Sequence, residues 1–146
     1  MLISDWVAKF QEQRPVGVLL DDEQVTALFI EAANHYSGYG SLEAHLAIDP
    51  LADAKTYPEI TAATDITVSE YAVINQLFLL FVERETALQL EASRGLGIDQ
   101  FGRTTSEIEG DIANFLLELP HKAFQVDAFS VWKLLPKRVR KFEAIY

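Results

Sequence analysis

The chain contains no cysteine. That excludes disulfides, thiolate metal sites and cysteine nucleophiles, and it fits a reducing cytosol. Histidine is also scarce. His35, His45 and His121 are widely separated, no pair has zinc spacing and there is no H-E-x-x-H, so each reads as a surface or interface histidine. Long hydrophobic runs are missing: the longest, Leu77 to Val82 (LFLLFV), is six residues, whereas a bilayer crossing needs about 20. The first residues, MLISDWVAKFQEQR, lack a basic region ahead of an apolar stretch, so no signal peptide is expected. The glycines of Gly95 to Gly102 are spaced G-x-G-x-x-x-x-G, which matches neither nucleotide-binding fingerprint and reads as a helix-to-helix turn with left-handed positions. No G-x-S-x-G elbow marks a serine nucleophile.

Basic residues are few as well, 12 Lys and Arg against 22 Asp and Glu, for a net charge of −10. An acidic chain is poorly suited to wrapping DNA or RNA. It suits a basic partner, or a channel wall to which nucleic acid must not adhere. The densest carboxylates are Glu83, Glu85, Glu91, Glu107, Glu109 and Asp111. None stands in the Glu-x-x-His arrangement of a bundle di-metal site, and Arg84 and Arg94 are placed to neutralise neighbours, so they read as a solvated helix face. No catalytic residue, metal ligand or cofactor site is assigned, and no enzyme is expected.

What the chain does have is apolar content, 49% over 146 residues. That is enough for one domain with its own core. Ser4 is the expected cap of a first helix that puts Trp6, Val7 and Phe10 on one face and ends at Arg14-Pro15. Asp21 and Gln24 form a capping-box start for a second helix running to about Tyr36. Its buried face is Val25, Leu28, Phe29, Ala32, Ala33 and Tyr36, and Ser37 to Gly40 stops it. Ser41 to Asp65 reads as short helical turns and loop, with Asp49-Pro50 and Tyr57-Pro58 as helix starts.

The strongest pattern follows. Thr67-Val68-Ser69-Glu70 is a capping box opening a helix predicted to run to Arg94, with Gly95 as its stop. It is apolar on nearly every side around Leu77 to Val82, which predicts a central position, and Ala87, Leu88 and Ala92 should stay inward in its second half. Thr104-Thr105-Ser106-Glu107 is another capping box. The helix it opens carries Ile108, Ile112, Phe115, Leu116 and Leu119 and is expected to end near Pro120. Phe124 to Val131 partly alternates, like an extended edge segment. The predicted fold is all-α: a small helical bundle around one long central helix, residues 1–122, with an extended C-terminal arm, residues 123–146.

The arm opposes the body in charge. Lys133 to Tyr146 (KLLPKRVRKFEAIY) has five cations and one acid, +4, while the preceding residues have seven cations and 21 acids, −14, together the net −10. Apolar residues interleave with the cations, a composition unlike that of a disordered segment and costly to leave in water. The arm therefore reads as a docking element for a protein surface. Its candidate partner-binding residues are Phe124, Val126, Phe129, Trp132, Lys133, Lys137, Arg138, Arg140, Lys141, Phe142 and Tyr146. A membrane anchor fits less well, because Pro136 interrupts any helix and anionic lipid would repel the body.

The order of these features resembles the head-to-tail adaptor, or connector, proteins of tailed bacteriophages. The resemblance is carried by the early DDEQVTALFIEAANHY helix, the long SEYAVINQLFLLFVERETALQLEASRG helix and the apolar-basic tail of a small cysteine-free chain. It covers most of the chain apart from 41–65, and it rests on pattern, not on an invariant motif. The resemblance implies a virion structural protein of the neck, made in the bacterial cytoplasm. Its copies would close by head-to-tail contacts into a roughly twelve-fold ring beneath the portal protein. The ring would receive tail or neck proteins, and genome DNA would pass through without specific binding. Phe124 to Tyr146 would then be the portal-binding arm, with its cations meeting acids of the portal or a neighbouring subunit. The alternative reading is an acidic cytosolic binding protein, such as an antitoxin or a DNA-mimic regulator.

Overall fold

The computed structural model describes residues 1–48, 58–93 and 102–134, the side chains of 47–48 and 128–134 excepted. It is all-α among these residues: five helices, with α4 (Val68–Ser93) packed between α2 (Asp22–Ser37) and α5 (Thr105–Leu134). The short α1 (Ile3–Glu12) lies against α2, and α3 is the single-turn Glu43–Ile48.

Helix α1 starts differently from expectation. Its first turn begins at Ile3, before Ser4 can cap it. Ile3 and Ser4 instead donate their backbone N–H groups to the carbonyls of Thr64 and Ala62, both at 3.0 Å, and the Asp5 carboxylate accepts from Leu2 N–H at 3.2 Å. A loop distant in sequence thus satisfies the orphan donors that a side chain was expected to satisfy. Ile3 and Val7 are buried, while Trp6 stacks on Tyr71 at 3.7 Å between ring centroids and Phe10 meets Phe78 edge-on at 5.0 Å.

Helix α2 is as its pattern predicts. Asp21 and Gln24 cap each other reciprocally, with Gln24 N–H to Asp21 Oδ1 at 2.7 Å and Asp21 N–H to Gln24 Oε1 at 3.1 Å. All six expected inward residues, Val25 through Tyr36, are buried. The region after it is corrected in part. A helix begins at Glu43 and none begins at Pro58; Asp49, Pro50 and Tyr57 lie outside the described residues.

Helix α4 buries Val73, Ile74, Leu77, Phe78, Phe81 and Val82, the centre of the core. Its flanks are less enclosed than expected. Leu79 and Leu88 are exposed and so is Ala92, leaving Ala87 as the inward residue of the second half. The predicted stop at Arg94-Gly95 lies outside the described residues.

Helix α5 corrects the largest expectation. It does not end near Pro120 but continues to Leu134, so Phe124 to Val131 is helical and not an extended edge. Proline removes one rung of the helical ladder. Here Pro120 is solvent-exposed, so water can meet the freed carbonyl of Leu116. The residues beyond it earn their place in the bundle: Ile108, Ile112, Phe115, Leu119 and Ala123 form one buried line at helical spacing. Of the predicted arm, residues 123–127 therefore pack as bundle, and residues 135–146 lie outside the described residues.

Candidate interaction surfaces and the joint beneath them

Among the predicted partner-binding residues, Phe124 is on the outer side of α5 and 68% exposed. Leu117, one heptad earlier on the same side, is 81% exposed, so the two make an apolar stripe along α5. Val126 is half-buried and packs against the core, so it supports the bundle and is not free for a partner. Phe129, Trp132 and Lys133 are on the helical backbone, their side chains outside the described residues. Lys137, Arg138, Arg140, Lys141, Phe142 and Tyr146 are outside them altogether.

The root of the arm is clasped to the turn after α2. Gly40 lies so close to α5 that an added Cβ would stand 3.0 Å from the Ala123 Cβ and 3.1 Å from Tyr36 Cζ. One residue on, Ser41 N–H donates to both carboxylate oxygens of Asp127 at 3.3 Å. Burial pushes the Asp127 carboxyl above its ordinary range, partly offset by that hydrogen bond.

Beneath the clasp is a buried polar joint that the sequence did not announce. Glu70 was legible only as the capping-box acid of α4. It does accept from Thr67 N–H and the Thr67 hydroxyl, both at 2.8 Å, but its other oxygen accepts from Glu43 N–H at 2.7 Å. One carboxylate, 2% exposed, thus starts two helices. His45 is corrected from a surface residue to a buried one, 3% exposed. Burial holds its imidazole below the ordinary value, opposed by the nearby Glu70 charge. The hydroxyl of Tyr36 is buried without a hydrogen-bond partner among the described residues. Burial first, then the charges of Glu70 and Asp127, push its ionisation far up, so it stays protonated.

His45 makes a testable contribution to stability. A lowered folded-state value means that the unfolded chain binds this proton more tightly. His45 therefore favours the fold above about pH 6.5, and its contribution is lost as pH falls through and below that value. Asp127 acts with the opposite sign and in a more acidic window, since its raised carboxyl makes protonation favour the fold. Denaturant midpoints should therefore drop between pH 7.5 and 5.5, and His45→Gln should flatten that slope. An unchanged slope in the variant would remove His45 from the account.

A second surface is a cleft of about 380 Å³ between the α1–α2 loop, α4 and the start of α5. Phe10, Pro15 to Val18, Leu79, Val82, Ala87, Leu90 and Ile108 make it mostly apolar. Gly17, at φ 105°, lets the loop turn over it. Its charged edge is centred on Arg103, which pairs with Glu83 at 3.3 Å and with Asp111. Glu107 stands near the same guanidinium and caps α5 through Thr104. Hydrogen bonds from the Thr104 N–H and hydroxyl hold its carboxyl below the usual range. The carboxylates are thus a solvated face, as expected, but their cation is Arg103, which helical spacing alone did not pick out. Arg84 does pair with Glu85, at 3.2 Å, and with Glu31 at 3.9 Å. Arg94 is outside the described residues. Gly102 has the left-handed φ of 118° expected of the turn before α5, and the rest of that turn, Gly95 to Phe101, lies outside the described residues.

Among the described residues no group of three or more His, Asp or Glu is placed to hold a metal ion, and no helix is long and apolar enough to cross a membrane. No protein-family model, curated protein or solved structure matches the chain.

Proposed function

We propose that this chain is a non-catalytic structural subunit, a head-to-tail connector of a tailed bacteriophage. Its copies form a ring of roughly twelve by heterologous contacts, dock on the portal protein, extend the DNA channel and receive the tail or neck proteins. One arrangement supports this reading above others. Helix α5, clasped to the bundle at Ala123 and Asp127, runs on to Leu134 and leads from an acidic bundle directly into the basic, apolar segment. A docking segment joined to the core by a continuous helix is positioned, not merely tethered, which lowers the ordering cost of binding. The exposed Leu117–Phe124 stripe extends the same apolar character onto the body. The acidic remainder suits a channel through which a phosphate backbone must slide.

Because residues 123–127 belong to the bundle, the informative truncation is after Leu134. A chain lacking 135–146 should bind the portal protein of the same genome at least tenfold more weakly than the full chain in surface plasmon resonance, with unchanged helix content. Equal binding would sink the docking role of the segment. A full chain that ignores the portal and captures a basic toxin or nucleic-acid-binding protein would replace the connector reading with the acidic-binder alternative.

A further inference from the structure

We propose that the cleft beside Arg103 receives the basic, apolar stretch Lys137–Phe142 of a second copy of this chain. This deepens the ring reading, on which it rests, by naming the contact that joins one copy to the next.

The chemistry of the two parts is complementary. At the mouth of the cleft three carboxylates, Glu83, Glu107 and Asp111, surround a single guanidinium, Arg103, leaving an excess of negative charge. Behind them the cleft is apolar, and at about 380 Å³ it exceeds the ~150 Å³ that already accommodates a benzene ring. The stretch KRVRKF offers four cations with Val139 and Phe142 among them. It can therefore place an aromatic ring inside and cations at the rim, whereas a purely electrostatic or purely apolar ligand would use half of the site.

Reach excludes the chain's own segment. Asp111 and the end of α5 at Leu134 are separated by roughly 34 Å of helix at about 1.5 Å per residue. The seven residues from Leu134 to Lys141 span at most about 25 Å when fully extended. They would also have to reverse direction, since α5 points away from the rim at Leu134. The cations at 137, 138, 140 and 141 thus fall short of their own rim. A donor on one copy and an acceptor on the next make a heterologous contact, which closes into a ring or grows as a filament.

The test uses two full-length variants. The donor-reversed chain carries K137E, R138E, R140E and K141E with an intact cleft. The acceptor-reversed chain carries V16K, at a fully exposed rim position, and E83K, with an intact segment. In sedimentation velocity each alone should self-associate at least tenfold more weakly than wild type. Mixed, they should form one-to-one pairs that grow no further, because each mixture retains one productive interface. Arg103→Gln, which releases the rim carboxylates, should strengthen self-association severalfold, a gain that loss of a merely structural ion pair would not produce. As a measurement independent of variant folding, the synthetic peptide of residues 133–146 should bind the donor-reversed chain, and less so as salt is raised. Four results would overturn the proposal: wild type monomeric at its highest soluble concentration, no pair in the mixture, weaker association in Arg103→Gln, or no peptide binding. Portal capture is read separately. A chain that binds portal without self-docking loses this inference alone, and one that self-docks but ignores portal loses the connector reading alone.

Discussion

Glu70→Ala should cost the fold about 3 kcal/mol and lower the melting temperature by roughly 10 °C. The size follows from what the carboxylate satisfies. It accepts from the backbone of Thr67 at the start of α4, from the Thr67 hydroxyl and from the backbone of Glu43 at the start of α3, all within 2.8 Å. Hydrogen bonds to a charged group contribute about 1.5–3 kcal/mol each, and a lost cap about 1 kcal/mol, with some of the loss recovered by entering water. Glu70 is 2% exposed, so solvent does not already share these donors in the folded state. Glu70→Gln keeps a carbonyl oxygen for one of the two sides and should lose about half as much. The amide of Glu43 should exchange faster in both variants, since its only acceptor is weakened. Loss of less than about 1 kcal/mol in the alanine variant would show that the joint is wet and that α3 is held by other contacts.

Gly40→Leu should destabilise the chain by about 3 kcal/mol, with Gly40→Ala nearer 1–2 kcal/mol. Even the single added carbon would stand 3.0 Å from the Ala123 Cβ and 3.1 Å from Tyr36 Cζ. Neither neighbour can swing aside: Tyr36 and Ala123 are both fully buried, one on α2 and the other on α5. The backbone of the turn or of α5 must shift, and either shift stretches the Ser41–Asp127 hydrogen bonds. A double-mutant cycle checks the location of the strain. Ala123→Gly alone costs about 1 kcal/mol for glycine in a helix. Combined with Gly40→Ala it should cost clearly less than the sum, because the clash is shared. Additivity in denaturant midpoints would mean that Gly40 is needed for some other reason.

The elements readable in the sequence were those specified within a few residues. The capping boxes at Asp21, Thr67 and Thr104 are reciprocal bonds over three positions, and all three form. The buried face of α2 is a periodicity, and all six of its residues go inward. What escaped was specified from afar. Pro120 is a helix breaker by local rules, but the contacts of Ala123 with Gly40 and of Asp127 with Ser41 favour continuing the helix beyond it. His45 is on a one-turn helix with no period to reveal its inner side, and its burial depends on the distant α4. Glu70 showed its bond to Thr67 and hid its bond to Glu43, 27 positions away. The cleft is assembled from three separate segments, so no stretch of sequence contains it. The arm was legible as composition and charge, while the residue at which it leaves the bundle was not: the described structure moves that point from 123 to beyond Asp127.

The clasp at the turn after α2 also defines a path for mechanical force. A pull applied beyond Leu134 along α5 travels down a hydrogen-bonded rod and first meets two bonds of 3.3 Å at Asp127, then the tight seat of Ala123 on Gly40, and then the missing rung at Pro120. Those are the weakest couplings in series, and all precede the aromatic centre around Phe78. Load on this chain would therefore peel the last turns of α5 away from the bundle before disturbing the core, giving a yielding element that can re-seat when tension is released.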